Sequence, residues 1–136
     1  MQPSKSILGI GRVLIDHVVV VPGYPEVDTK VLVDEHWRQI GGPVPVALST
    51  ASFYGIDTSF VGPVGDDANG QQIVEDLAAR KIVMAHCKPS GTTGFAQIWT
   101  EQASGRRTIA ACPGEEISLG NIPRFDEAID LSLIHI

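Results

Sequence analysis

Cysteine is scarce. Cys87 and Cys112 are the two in 136 residues, too few for a disulfide framework and without metal-ligand spacing. They read as buried thiols in a reducing cytosol. Positive charge is thin as well: ten Lys and Arg stand against sixteen Asp and Glu, giving a net charge of −6 and a pI near 5.0. The basic residues are scattered, with Arg80-Lys81 and Arg106-Arg107 as the adjacent pairs. This excludes a basic patch, so nucleic acid is not an expected partner. Long apolar runs are missing too. Ile7 to Val21 is interrupted by Arg12, Asp16 and His17, and no small-residue cleavage site follows, which fits neither a signal peptide nor a membrane span. A soluble, cytoplasmic protein with no membrane partner is expected.

Several catalytic signatures are absent. His17, His36, His86 and His135 lie far apart with no i, i+4 pairing, so no metal ligand is assigned. There is no Gly-x-x-x-x-Gly-Lys-Ser/Thr loop and no Gly-x-Ser-x-Gly. Gly9-Ile10-Gly11 lacks the third glycine of a dinucleotide fingerprint, that position being Leu14, and extended chain rather than a helix follows. No catalytic residue is assigned.

What the chain does have is glycine and apolar periodicity. With 14 glycines, 9 prolines and 43% hydrophobic residues it has the makings of one α/β domain. Its centre is Gly41 to Gly70, which reads as loop, helix, strand, loop. The Gly41-Gly42 pair lets backbone come close to a ligand, and a helix starting near Pro43 or Pro45 would point free N–H groups back at it. Val44, Ala47, Leu48, Ala51 and Tyr54 fall on one helical face, and Gly55 stops the helix. Thr58 to Val64 is the next strand. Asp66 and Asp67 are turn and N-cap residues ahead of a second helix, Gln71 to Arg80, with Ile73, Val74, Leu77 and Ala78 as its buried stripe.

Upstream, Ile7 to Ile15 reads as one buried strand of a parallel sheet, with Asp16 at its carboxyl edge, where open α/β sheets bind ligands. A two-stranded excursion follows, with Val18 to Val21 and Lys30 to Trp37 as strands and Pro22 to Pro25 as a turn. Downstream, Lys81 to His86 is a short strand. Gly94 to Thr100 and Arg106 to Cys112 form a second excursion through a hairpin. Paired, the two excursions would make a small sheet with one face free to cover a ligand.

With these segments placed, the chain resembles the N-terminal part of the ribokinase-like, or PfkB, carbohydrate kinases. The motifs that carry the likeness are Gly11-Arg-Val-Leu-Ile-Asp16, the Gly41-Gly42 pair with its helix, Phe60-Val-Gly-Pro-Val-Gly-Asp-Asp-Ala-Asn-Gly70, and Thr92-Thr-Gly-Phe95 through Gly105-Arg-Arg-Thr-Ile109. The resemblance covers roughly residues 7 to 119, and the Leu-Ile-Asp form looks most like fructokinases and 2-keto-3-deoxygluconate kinases. It implies a ribokinase-like, Rossmann-type α/β three-layer sandwich, here incomplete, with a small β lid from strands at about 17–39 and 92–112. It also implies ATP-dependent phosphoryl transfer to a sugar hydroxyl, with Asp16, Gly41 and Gly42 binding the sugar and lid contacts from Thr93 and Phe95. The lid would serve as a homodimer contact.

ATP and Mg2+ are expected of the full-length family member. The family's ATP site and catalytic aspartate belong to a C-terminal half, so this chain is expected to carry the substrate side, to be inactive alone and to bind no cofactor itself. The family's usual Asn four residues after the glycine pair is Val46 here, and it leaves open an alternative: a non-catalytic sugar- or nucleoside-binding kinase-like module. After a helix-like stretch, Arg124 to Asp130, residues 131–136 (LSLIHI) are an apolar tail without packing logic. They are expected to be non-native, with 1–130 as the domain portion of a truncated reading frame.

Overall fold

The computed structural model describes residues 6–84, 89–116 and the backbone of 131–135. Two four-stranded sheets share the chain. The first is parallel throughout and contains β1 (Ser6–Ile10), β4 (Asp57–Val61), β5 (Ile82–Met84) and β8 (Leu131–His135), in the order β5-β4-β1-β8. The second contains β2 (Leu14–Val21), β3 (His36–Gly41), β6 (Gly94–Glu101) and β7 (Arg107–Cys112), in the order β3-β2-β6-β7. Here β2 pairs antiparallel with β3 and parallel with β6, and β6 pairs antiparallel with β7. The two excursions thus form one sheet through their inner strands.

Helices α1 (Pro43–Phe53) and α2 (Ala68–Ala79) lie between the strands of the first sheet in sequence. Both feed one core: Val44 and Leu48 from α1, Ile73 and Leu77 from α2, and Phe60, Ile82, Val13, Ile15, Ile40 and Val64 from the strands and their loops. Among the described residues, two of the three layers of the expected sandwich are present. The fit of α1 on β1 depends on missing side chains. A Cβ on Gly9 would lie 2.6 Å from Val44 Cγ1 and 2.8 Å from Leu48 Cδ1, closer than carbon atoms pack.

Several sequence expectations are corrected. The apolar run Ile7 to Ile15 is two strands, not one: the chain leaves the first sheet after Ile10, crosses at residues 11–13 and enters the second sheet at Leu14. A change of sheet leaves no trace in periodicity, because both pieces stay apolar. Asp16 accordingly sits inside β2, not at the end of β1. The segment expected as a strand from Lys30 to Trp37 is mostly exposed loop, and pairing begins at His36. β4 stops at Val61, short of Val64, since Gly62-Pro63 follows and proline cannot donate to a ladder.

The helices run close to expectation, with shifts at their ends. α1 begins at Pro43 and ends at a Tyr54 cap, with Gly55 at φ 79° behind it. Tyr54 therefore lies off the buried stripe and is 75% exposed. α2 starts three residues early, at Ala68, because Asp67 caps it. Its buried positions are Gly70, Ile73 and Leu77, and Ala78 is exposed. Cys112 is exposed on β7, not buried; Cys87, His86 and the helix-like stretch 124–130 lie outside the described residues. The segment 131–135, read as a tail without packing logic, is placed as β8, parallel to β1 with Ser6 opposite Leu131.

Gly9→Ala is expected to destabilise the chain by about 1–3 kcal/mol through overpacking, measured by urea unfolding. Adding Val44→Ala should recover part of that loss. Strict additivity of the two changes would show that the close approach is not its cause.

Candidate functional site

The second sheet meets the first helix at the Gly41-Gly42 pair. Gly41 closes β3, and Gly42 at φ 103° is the N-cap of α1, a conformation that glycine adopts at little cost. The close approach these glycines permit is used by the chain itself. A Cβ on Gly42 would lie 2.6 Å from the Arg12 carbonyl oxygen, and one on Gly41 would lie 2.6 Å from all three carboxyl atoms of Asp16. The Asp16 carboxylate therefore rests directly on the Gly41 backbone, and three sequence-predicted residues come together.

The end of α1 differs from the expected cluster of open donors. With Pro43 and Pro45 in its first turn, two of the first three helical positions have no N–H, and Val46 N–H is bonded to the Gly42 carbonyl at 3.3 Å. Val44 alone supplies an N–H among those three positions. The positive end of this helix is correspondingly poor as an anion site.

Around Asp16 the register fixes two rows of side chains on one face. Residues directly opposite each other in neighbouring strands share a face. One row is Gln39, Asp16, Ala96 and Ala111; the next is Trp37, Val18, Ile98 and Ile109. Trp37 Nε1 donates to Gln39 Oε1 at 3.0 Å. Burial raises the Asp16 carboxyl above its ordinary pKa, while a Gln39 side-chain hydrogen bond and the charges of Arg107 and His17 pull it down.

Thr93 and Phe95 stand apart from this group. Thr93 is 3% exposed. Its hydroxyl donates to Asp67 Oδ1 at 2.6 Å and accepts from Gly65 N–H at 3.1 Å, and its own N–H donates to Asp67 Oδ2 at 2.9 Å. Asp67 also accepts from Gly70 N–H at 2.8 Å. The hydroxyl and N–H of Thr93 are thus engaged in joining α2 to the start of β6. These bonds, those from Thr93 foremost, hold the Asp67 carboxyl below its ordinary pKa. Phe95 pairs with Ile15, one residue out of step with Asp16, which places it on the opposite face. There its ring meets His17 edge-on at 5.9 Å.

Two residues escaped the sequence reading. Gln39 is a polar residue at the end of an excursion until the β2–β3 register sets it opposite Asp16, and Trp37 shows only as half of an imperfect alternation. Asp67 was legible as a cap; its bonds to Thr93, 26 residues away, were not. Among the described residues, no group of three or more His, Cys, Asp or Glu is placed to hold a metal ion.

The sequence profile for pfkB family carbohydrate kinases matches residues 4–125. Among solved structures, a ribokinase from Thermotoga maritima is 23% identical, over 81% of this chain and 37% of that one, with a TM-score of 0.69. A ribokinase from Arabidopsis thaliana, complexed with ribose and ATP, is 20% identical over 82% and 37% of the two chains, with a TM-score of 0.70. A nucleoside kinase from Methanocaldococcus jannaschii, described as an archaeal member of the ribokinase family, is 19% identical over 81% and 37%, again at 0.70. These likenesses are ones of fold, and the chain spans 37% of the length of each. No curated protein matches it.

Asp67→Ala is expected to cost about 2–4 kcal/mol, from the lost N-cap and the unpaired polar groups of buried Thr93. Because the folded carboxyl has the lowered pKa, its contribution is present above the unfolded carboxylate pKa and disappears as pH falls through the folded one. Urea midpoints across the acid range should therefore fall more steeply for the wild type than for Asp67→Asn.

Proposed function

The chain belongs to the pfkB family of carbohydrate kinases, and from that membership we propose that it forms the sugar-holding side of an ATP-dependent sugar kinase of fructokinase or 2-keto-3-deoxygluconate kinase type. The observation that carries this reading is the Asp16 carboxylate seated on Gly41 beside the first turn of α1. An ionised carboxylate only accepts hydrogen bonds, and its two oxygens can take more than one hydroxyl donor. A sugar offers such donors. Gly41 and Gly42 keep the neighbouring backbone bare, so that a ring can approach without meeting a Cβ.

The second sheet is the lid in this proposal. Its face with Asp16 would close over the sugar and exclude water, so that the phosphoryl group goes to a hydroxyl and not to solvent. ATP would be the donor and Mg2+ its companion ion, held by parts of the enzyme beyond the residues described. The sugar side alone would leave this chain without kinase activity. Thr93 supports the joint at the base of the sheet, and Phe95 supports its far face. Cytoplasmic sugar metabolism is the setting proposed, with the lid edge as a homodimer contact.

In the enzyme that contains this chain, Asp16→Ala should raise the sugar KM by about ten- to a hundredfold, the worth of one or two charged hydrogen bonds, or abolish turnover. Unchanged kinetics would remove Asp16 from the site. Stability should move the other way. A carboxyl with a raised folded pKa favours folding below its unfolded pKa and loses that benefit as pH rises through the folded value. Asp16→Asn should therefore raise Tm at neutral pH, and the gain should vanish below the carboxylate range.

A further inference from the structure

Beside Asp16, the second sheet presents side chains that the reading above leaves unused. In its own row, buried Ala96 and exposed Ala111 follow Asp16 across the sheet, so that side chains of a single methyl group stand beside the carboxylate. In the adjacent row, Trp37 is 43% and Ile109 49% exposed. A polar edge thus borders an apolar strip on the same face, at the spacing of neighbouring rows. Sugars have that division themselves, with hydroxyls round the rim and C–H groups on the ring face.

Gln39 links the two rows. Its Oε1 accepts the Trp37 indole N–H at 3.0 Å, which settles the orientation of its amide, and its side chain, directly across the β2–β3 pair from Asp16, is the hydrogen-bonding influence that lowers the Asp16 carboxyl. An amide nitrogen carries two N–H groups, so it can serve Asp16 and a ligand hydroxyl at once. The indole is likewise held in place by its bond to Gln39, which lowers the entropy lost when a ring settles on it.

Resting on the sugar-site reading, we infer that Gln39 is a sugar-binding residue that also positions Asp16, and that Trp37 is its apolar platform, so that this face takes a neutral polyol. Of two adjacent hydroxyls, one donates to Asp16 and the other accepts from Gln39. Neutrality follows from the surroundings. Arg107, the cation whose charge Asp16 feels, is matched by Asp16 itself, and the prolines strip α1 of the donors that would welcome an anion. A substrate carboxylate here would face Asp16 without compensation, so the inference selects the fructokinase type over the 2-keto-3-deoxygluconate kinase type.

The test uses the chain carrying Trp99→Phe, so that tryptophan emission reports Trp37 alone. Titration with D-fructose should shift that emission, and D-gluconate should bind at least tenfold more weakly. Gln39→Ala and Gln39→Leu should each weaken D-fructose binding tenfold or more. In the sugar-free chain, NMR should show the Asp16 carboxyl titrating at higher pH in both variants, a change that a merely structural residue would not produce. Binding that is lost in Asp16→Ala yet stays within twofold in both Gln39 variants overturns the inference and leaves the sugar site standing. D-gluconate binding tighter than D-fructose overturns the neutrality. A wild-type chain that binds neither D-fructose nor D-ribose overturns the inference together with the reading it rests on.

Discussion

The Asp67 carboxylate accepts three hydrogen bonds, and the relation between the two sheets depends on them. One comes from Gly70 at the start of α2, and two come from Thr93 just before β6. The first ties the carboxylate to the helical body, and the others tie it to the second sheet. Gly65 and Gly70 make room for the joint: a Cβ on Gly70 would lie 1.8 Å from the Gly65 carbonyl oxygen, and one on Gly65 2.4 Å from Thr93 N. A side chain at either position would push α2 and β6 apart. A second tie runs from Arg38 on β3 to Asn69 in the first turn of α2, at 2.5 Å. The first turn of one helix therefore holds both an outer strand and an inner strand of the sheet.

Strand β2 divides the labour of the molecule along its length. Its first residues serve the core, with Ile15 fully buried among Ile40, Val44 and Phe60. One residue later the opposite face carries Asp16. A single slip of register would bury the carboxylate and expose the isoleucine, so core packing itself determines where the charge points. This explains how an energetically disfavoured group stays in place: the raised pKa of Asp16 reflects incomplete hydration, and the apolar residues next to it hold the strand against that cost. A strand built this way trades a little stability for a charge at a fixed address.

Much of this was legible in the sequence, for reasons that can be assigned. The helices announced themselves through proline at the start, glycine at Gly55, an aspartate cap at Asp67 and a stripe through Ile73 and Leu77. Asp16, Gly41 and Gly42 were singled out because strand ends and glycine pairs mark sheet edges, although Asp16 lies inside β2 and not at a strand end. The crossing between β1 and β2 was hidden, since residues on either side of it are equally apolar. Gln39 was hidden because nothing local distinguishes a glutamine opposite an aspartate from one facing water. Phe95 lies on the far face for the same reason: a period of two gives two faces but does not say which is which until a partner strand fixes them.

The pairing of β2 with β6 joins residues 14–21 to residues 94–101, and the Gln97 amide reaches the His17 carbonyl across 80 positions of sequence. Contacts so distant along the chain are slow to form, because closing the loop costs entropy before any pairing repays it. The β2–β3 pair closes a much shorter loop, residues 22–35, at a lower entropic cost. Asp16 and Gln39 can therefore meet early in folding, while the alanines and isoleucines that complete their face arrive after α1, β4, α2 and β5 are in place. The face that carries Asp16 is in this sense the last surface of the molecule to exist, and until β6 docks, the inner edge of β2 stands open to any other strand that reaches it first.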